Sequence, residues 1–189
     1  MKKIKWIGLG LLALAGLGAV VVHGLIHFEY ESKPEVLNFL GLNPVVKWKG
    51  KQAPAFRLQS LRSSKKVALA DFRGKVVLMD FWSTWCPGCR RQLKVLQRLH
   101  DDKTLRKNVQ ILTINMKESV PPKVVLGFLK SRLYTFPVLL GTEDMIKAYG
   151  IWFFPTMVLI SPKGQVIYTG AEFHTEAKVR KLIQKALKR

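Results

Sequence analysis

The sequence predicts an α/β sandwich built on a mixed β-sheet, preceded by one transmembrane helix. Three observations lead there. Residues 6–28 contain no Asp, Glu, Lys or Arg. From residue 51 onward, apolar runs of strand length alternate with segments of helical periodicity. The last two strand-like runs are joined by the turn sequence Ser161-Pro162-Lys163-Gly164, so at least one strand pair is a hairpin.

The N-terminus comes first. Lys2, Lys3 and Lys5 precede the apolar stretch, which is rich in Leu, Ala, Gly and Val. Its length suits a bilayer core, which takes roughly 20 residues. Ala13-Leu14-Ala15 resembles a signal-peptide cleavage site, but the apolar run continues past it to Val22 and Ile26. An uncleaved anchor over residues 1–28 is therefore favoured. The positive-inside rule keeps the three lysines in the cytoplasm and places the rest of the chain outside it. His23 and His27 share a helix face. Haem ligation is one reading of them; two semi-polar residues near the outer interface is the plainer one.

Residues 29–50 read as a linker, with Glu29, Glu31, Lys33, Pro34 and Glu35 and a turn at Asn43-Pro44. Residues 51–189 form the folded domain. Segments 55–61 and 66–69 make a short hairpin, and Asp71-Phe72-Arg73-Gly74-Lys75 a turn. Residues 76–82 are apolar except for Asp80, which suits a strand buried on both faces. Leu93, Val95, Leu96 and Leu99 predict a helix over 89–100. Residues 109–115 are a second strand. A helix over 122–132 carries proline in its first turn. Residues 138–140 are extended, and 143–149 are helical up to Gly150. The hairpin 156–160 and 165–169 follows, and then an amphipathic helix over 176–187. There are no internal repeats. Strands and helices in this order pack as layers around one sheet.

The net charge is +20, from 32 Lys and Arg against 12 Asp and Glu. No zinc finger, RNA-binding aromatic signature or basic zipper accompanies it, so nucleic acid is not the expected partner. The basic clusters lie at Arg90, Arg91, Lys94 and Arg98 and along the last helix. Such a surface is either simply solvated or drawn to anionic lipid and acidic proteins.

Cys86 and Cys89 are the only cysteines. They form a C-x-x-C at the start of a predicted helix, where unpaired N–H groups and the helix dipole favour thiolate. A zinc site needs about four ligands. No second cysteine pair exists, and His100 and His174 are far apart in sequence. A disulfide closing so short a loop adds little stability. The motif therefore reads as a redox centre.

Several segments together resemble the thioredoxin superfamily. These are Asp80-Phe81-Trp82 followed by Trp85-Cys86-Pro87-Gly88-Cys89; Gly150-Ile151-Trp152-Phe153-Phe154-Pro155-Thr156; the hairpin from Val158 to Val166; and the Gly74-Lys75 entry to the first core strand. With the anchor and the insert at Phe136-Pro137-Val138, the chain looks like the membrane-anchored TlpA/ResA-like branch. That resemblance implies a thioredoxin-like three-layer sandwich. It implies a thiol–disulfide oxidoreductase, reducing protein disulfides outside the cytoplasm in cytochrome c maturation or a similar task. The place implied is the bacterial cytoplasmic membrane, with the domain in the periplasm. A transmembrane thiol carrier would supply electrons. No metal or cofactor is implied beyond the redox-active Cys86–Cys89 disulfide, and the chain would work as a monomer.

In that scheme Cys86 attacks and is the more exposed thiol, and Cys89 resolves the mixed disulfide. Asp80 is a carboxyl whose pKa burial raises, suited to exchange a proton with Cys89. Glu118, in Asn115-Met116-Lys117-Glu118-Ser119, shares or replaces that role, or is a plain surface acid. Pro155 is the family's cis-proline. Trp85, Pro87, Phe154 and Pro155 shape the substrate surface. The chain departs from the branch in having Pro87-Gly88 rather than proline just before Cys89, and in the bulky Phe154. These departures leave the direction of electron flow open. An oxidase or isomerase, a copper-delivery module on the same fold, and a thiol peroxidase, for which no peroxidatic-cysteine motif is present, are the alternatives.

Overall fold

The computed structural model describes residues 48–188. The predicted anchor, the linker up to residue 47, His23 and His27 lie outside the described residues. Among the described residues no helix is long and apolar enough to cross a membrane.

Seven strands form one mixed sheet. They are β1 (Arg57–Ser60), β2 (Lys66–Ala68), β3 (Val76–Trp82), β4 (Val109–Asn115), β5 (Val138–Leu140), β6 (Thr156–Ile160) and β7 (Val166–Gly170), in the order β2-β1-β5-β4-β3-β6-β7. β3 runs parallel to β4 and antiparallel to β6, with Asp80 opposite Thr113 on one side and Met157 on the other. The helices are α1 (Pro87–Asp101), α2 (Lys103–Arg106), α3 (Pro122–Lys130), α4 (Glu143–Tyr149) and α5 (Glu176–Leu187).

The central strand is buried along its whole length because both faces are covered. Strand side chains alternate between faces. Val76, Leu78 and Trp82 join one apolar cluster with α1, α3 and α5 through Leu93, Leu96, Val125, Leu129, Val179 and Ile183. Val77, Met79 and Phe81 join a second cluster with α4 through Met145 and Tyr149, together with Trp48, Phe56 and Phe72. The result is the expected three-layer sandwich. Parity puts Asp80 on the α1 side.

Strand β3, strands β4 to β6 and helices α4 and α5 lie where the apolar pattern predicts them, with β4, β5 and β6 matching to the residue. The first hairpin is shorter than expected over 55–61 and 66–69, and three further boundaries differ for physical reasons. Helix α1 starts at Pro87, two residues before the predicted start. Cys86 caps it, its Sγ accepting the Cys89 N–H at 3.1 Å, and Pro87 needs no N–H partner at the first helical position. That polar first turn has no periodicity to read. Helix α3 ends at Lys130, but a Schellman closure runs on past Arg132. The Tyr134 N–H bonds Leu129 O and the Leu133 N–H bonds Lys130 O, both at 3.0 Å, with Leu133 left-handed at φ 55°. β7 is shifted one residue later, beside a register irregularity at Leu159/Ile160. The short helix α2 and the 3-10 turn Leu69–Phe72 were not expected. Both hang on a single acid: Asp102 accepts the Thr104 N–H and Asp71 the Ala68 N–H.

Leu96 is fully buried between α1 and the sheet. Leu96→Ala is expected to destabilise the fold by about 2–5 kcal/mol. Urea unfolding should show a lower midpoint at unchanged slope. A loss under about 1 kcal/mol would mean that α1 packs loosely.

Candidate active site

Parallel strands deliver their C-terminal ends to one edge, and the antiparallel β6 begins there. The loops after β3 (residues 83–86), after β4 (116–121) and before β6 (150–155) therefore meet. Cys86 sits at that edge as the cap of α1, with Cys89 in its first turn. They form a disulfide with Cα atoms 5.3 Å apart. Cys86 is 4% exposed and Cys89 is fully buried. Cys86 is the more exposed of the two, but by a narrow margin. Once reduced, its sulfur would face the helix N-terminal N–H groups, which favour the thiolate.

The Phe154–Pro155 peptide is cis, and Pro155 is buried against α1. Gly88 lies beneath it: a Cβ there would stand 3.2 Å from Pro155 Cδ. The Pro87-Gly88 dipeptide thus divides its tasks. Exposed Pro87 opens the helix, and Gly88 lets the proline ring approach.

Asp80 is fully buried, and neither carboxylate oxygen has a hydrogen-bond partner among the described residues. Burial pushes its pKa well above the usual carboxylate range. It lies on the sheet face whose apolar cluster includes Cys86 and Cys89.

Glu118 is engaged elsewhere. Its Oε1 accepts the Thr84 N–H at 2.6 Å and the Asn115 amide at 2.7 Å, and its Oε2 accepts the Thr84 hydroxyl at 2.6 Å. Arg90 Nε donates to Thr84 O at 2.9 Å, and the Trp85 indole donates to Lys117 O at 2.9 Å. The loop leading into Cys86 is thereby tied to the loop after β4. Ser83 adds a hydrogen bond to Met116 O. Trp85 stays 55% exposed, and half-buried Phe154 lies 6.0 Å from it, ring to ring.

Gln92, one turn after Cys89 and fully buried, accepts the His174 N–H at 2.7 Å. The buried His174 ring bonds the Tyr168 hydroxyl at 2.6 Å, and burial lowers its pKa. His100 is half-buried towards the far end of α1. Neither histidine joins the cysteines in a metal-binding cluster among the described residues.

The structure brings Cys86, Cys89, Trp85, Pro87, Phe154 and Pro155 to one edge, and places Asp80 beneath it and Glu118 beside Thr84. Sequence reasoning missed Thr84, Asn115 and Gln92, whose partners lie up to 82 residues away. It also passed over Trp152 and Phe153, which are exposed on the loop before Pro155. An aromatic run between Gly150 and Pro155 was the available signal.

The AhpC/TSA family model matches residues 49–169, a span holding every part of this edge. The chain belongs to the AhpC/TSA family. Within this thioredoxin-like family it is 33% identical over 159 residues to the thiol-disulfide oxidoreductase ResA of Bacillus cereus, covering 83% of this chain and 81% of that one. ResA of Bacillus subtilis is 32% identical over 131 residues, covering 69% and 71%. A thiol:disulfide interchange protein from Chlorobium tepidum shares the fold, with a TM-score of 0.66 at 23% identity over 74% of this chain and 97% of that one. The chain is a thioredoxin-like enzyme with thiol–disulfide oxidoreductases as its homologues.

Proposed function

We propose that this protein is a membrane-anchored thiol–disulfide oxidoreductase that mainly reduces protein disulfides outside the cytoplasm, in cytochrome c maturation or a similar task. The observation that carries this reading is the Cys86–Cys89 pair at the head of α1, on the sheet face that also buries an unpartnered carboxyl. Cys86 thiolate attacks one sulfur of the substrate disulfide, and the other leaves as a thiolate. Asp80 accepts the Cys89 proton in its ionised form, which burial makes the stronger base. The Cys89 thiolate then attacks Cys86 Sγ, and the second substrate thiolate leaves. The substrate gains two electrons and the enzyme ends as the disulfide. A transmembrane thiol carrier returns two electrons to reset it. The uncharged stretch over residues 6–28 supports the anchor.

The test is equilibration of the Cys86–Cys89 couple with glutathione and dithiothreitol. A potential well below the glutathione couple supports reduction driven from across the membrane. A potential well above it would make the protein an oxidant or isomerase and end the cytochrome analogy.

A further inference from the structure

The end of the sheet opposite the disulfide holds an open cavity of about 440 Å³. Residues 52–55, residues 69–75 leading into β3, and the turn 161–164 between β6 and β7 enclose it. Backbone contacts fix these segments to one another. The Gly74 N–H donates to Pro162 O at 3.2 Å and the Ala53 N–H to Gly164 O at 2.9 Å. Gln52 pairs with Gln165 as an isolated β-bridge. The cavity is therefore formed before any ligand arrives, as small-molecule sites usually are.

Its lining divides in two. Leu69, Phe72, Val77 and Ile160 supply an apolar side. Arg73, Lys75 and Lys163 supply three positive charges, and no Asp or Glu lines it. None of the three has an ion-pair partner among the described residues. The neighbouring acid in sequence, Asp71, accepts the Ala68 N–H at 2.8 Å. Buried Ser161 also lines the cavity; its hydroxyl accepts the Gln165 N–H at 3.2 Å, which leaves its own O–H to donate. A small inorganic anion would satisfy the cations and leave the apolar side wet. An anion that carries an apolar portion satisfies both.

The chain enters the domain at the same end. The Gly50 N–H donates to Val166 O at 2.7 Å, and Lys49 and Lys51 on either side are exposed. In the anchored reading, residues 29–47 join this entry point to the bilayer, and so short a chain spans at most about 65 Å. Anionic bilayer surfaces draw cationic protein faces towards them.

We propose that this cavity binds the head group of an anionic phospholipid, with Arg73, Lys75 and Lys163 on the phosphate and the apolar side against the glycerol and first acyl carbons. The membrane as the source of that anion rests on the anchored reading above. β3 runs about 20 Å from the cavity to the disulfide edge, at roughly 3.3 Å per residue. A bound lipid therefore leaves that edge uncovered.

The test places the full-length protein in nanodiscs of phosphatidylcholine, with and without phosphatidylglycerol, and reads amide hydrogen exchange by mass spectrometry. The Arg73→Gln/Lys75→Gln/Lys163→Gln variant is compared with a charge-matched control, Lys103→Gln/Lys107→Gln/Lys130→Gln, whose side chains are exposed and do not line the cavity. Phosphatidylglycerol should slow exchange at residues 69–75 and 161–165 by about tenfold or more in the wild type and the control, and by less than about twofold in the cavity variant. No slowing, equal slowing in phosphatidylcholine alone, or slowing that survives in the cavity variant overturns the proposal. Equal slowing by inorganic phosphate in phosphatidylcholine discs makes the ligand a free anion and overturns the lipid assignment. A protein that joins no disc overturns the anchored reading instead. The cavity is then tested with dihexanoylphosphatidylglycerol in solution, where the same exchange pattern upholds the anionic-lipid site and its absence overturns it.

Discussion

Replacing Cys86 with serine is expected to reduce disulfide turnover to the uncatalysed rate, whereas Cys89→Ser should leave a first attack that stalls. The difference comes from position on α1. Cys86 caps the helix and keeps the slight solvent exposure an incoming disulfide needs, while Cys89 is sealed beneath it. The Cys89→Ser enzyme should therefore accumulate a covalent mixed disulfide through Cys86. Non-reducing electrophoresis and mass spectrometry would show it with an oxidised protein substrate. Adduct on Cys89 in the Cys86→Ser enzyme instead would reverse the assigned roles. Both variants lose the disulfide, but closing so short a loop contributes little to stability, so both should remain folded.

Asp80→Asn is expected to raise stability and slow the reaction together. The carboxyl is fully buried with neither oxygen partnered among the described residues, and burial holds its pKa well above the usual carboxylate range. The native state therefore keeps this proton at pH values where the unfolded chain has lost it. The stability linked to the group is complete below the ordinary carboxyl range. It falls as pH rises through the elevated native pKa. At pH 7 the amide replacement, which has no proton to lose on unfolding, should therefore be the more stable of the two proteins. The stability curves of the two proteins should converge in acid. If Asp80 accepts the Cys89 proton, resolution of the mixed disulfide should slow by roughly 100-fold or more, the usual size of general base catalysis. Parallel stability curves at all pH values would remove Asp80 as an ionisable group of the folded protein.

Glu118→Gln separates the two acids. Its carboxylate already serves three donors from Thr84 and Asn115. The variant should disturb the loop before Cys86 yet leave the pH–rate profile with the limb that Asp80→Asn removes. A lost limb in Glu118→Gln would transfer the proton-accepting role to Glu118.

Much of the molecule is legible in the residue order, because its local signals and its tertiary packing agree. The uninterrupted apolar run of β3 calls for cover on both faces, and the structure supplies α1, α3 and α5 on one side and α4 on the other. Gly150 stops α4 in a left-handed conformation at φ 66°, as a helix-ending glycine should. The cysteine pair is legible for the same reason, since spacing and the adjacent helix suffice to identify the chemistry. The start of α1 was not, because a cap and a proline leave no periodic trace.

The residue order suffices for the layered α/β fold, the strand that carries Asp80 and the dithiol at a helix head, since these depend on contacts and periodicities within a few residues. Tertiary structure alone decided which acid lies buried without a partner and which is tied to Thr84, how nearly closed Cys86 is, and that Trp152 and Phe153 face solvent beside it. Those properties depend on side chains 34 to 82 residues apart meeting at one sheet edge. Burial and hydrogen-bond partnership belong to that meeting, not to any single stretch of chain.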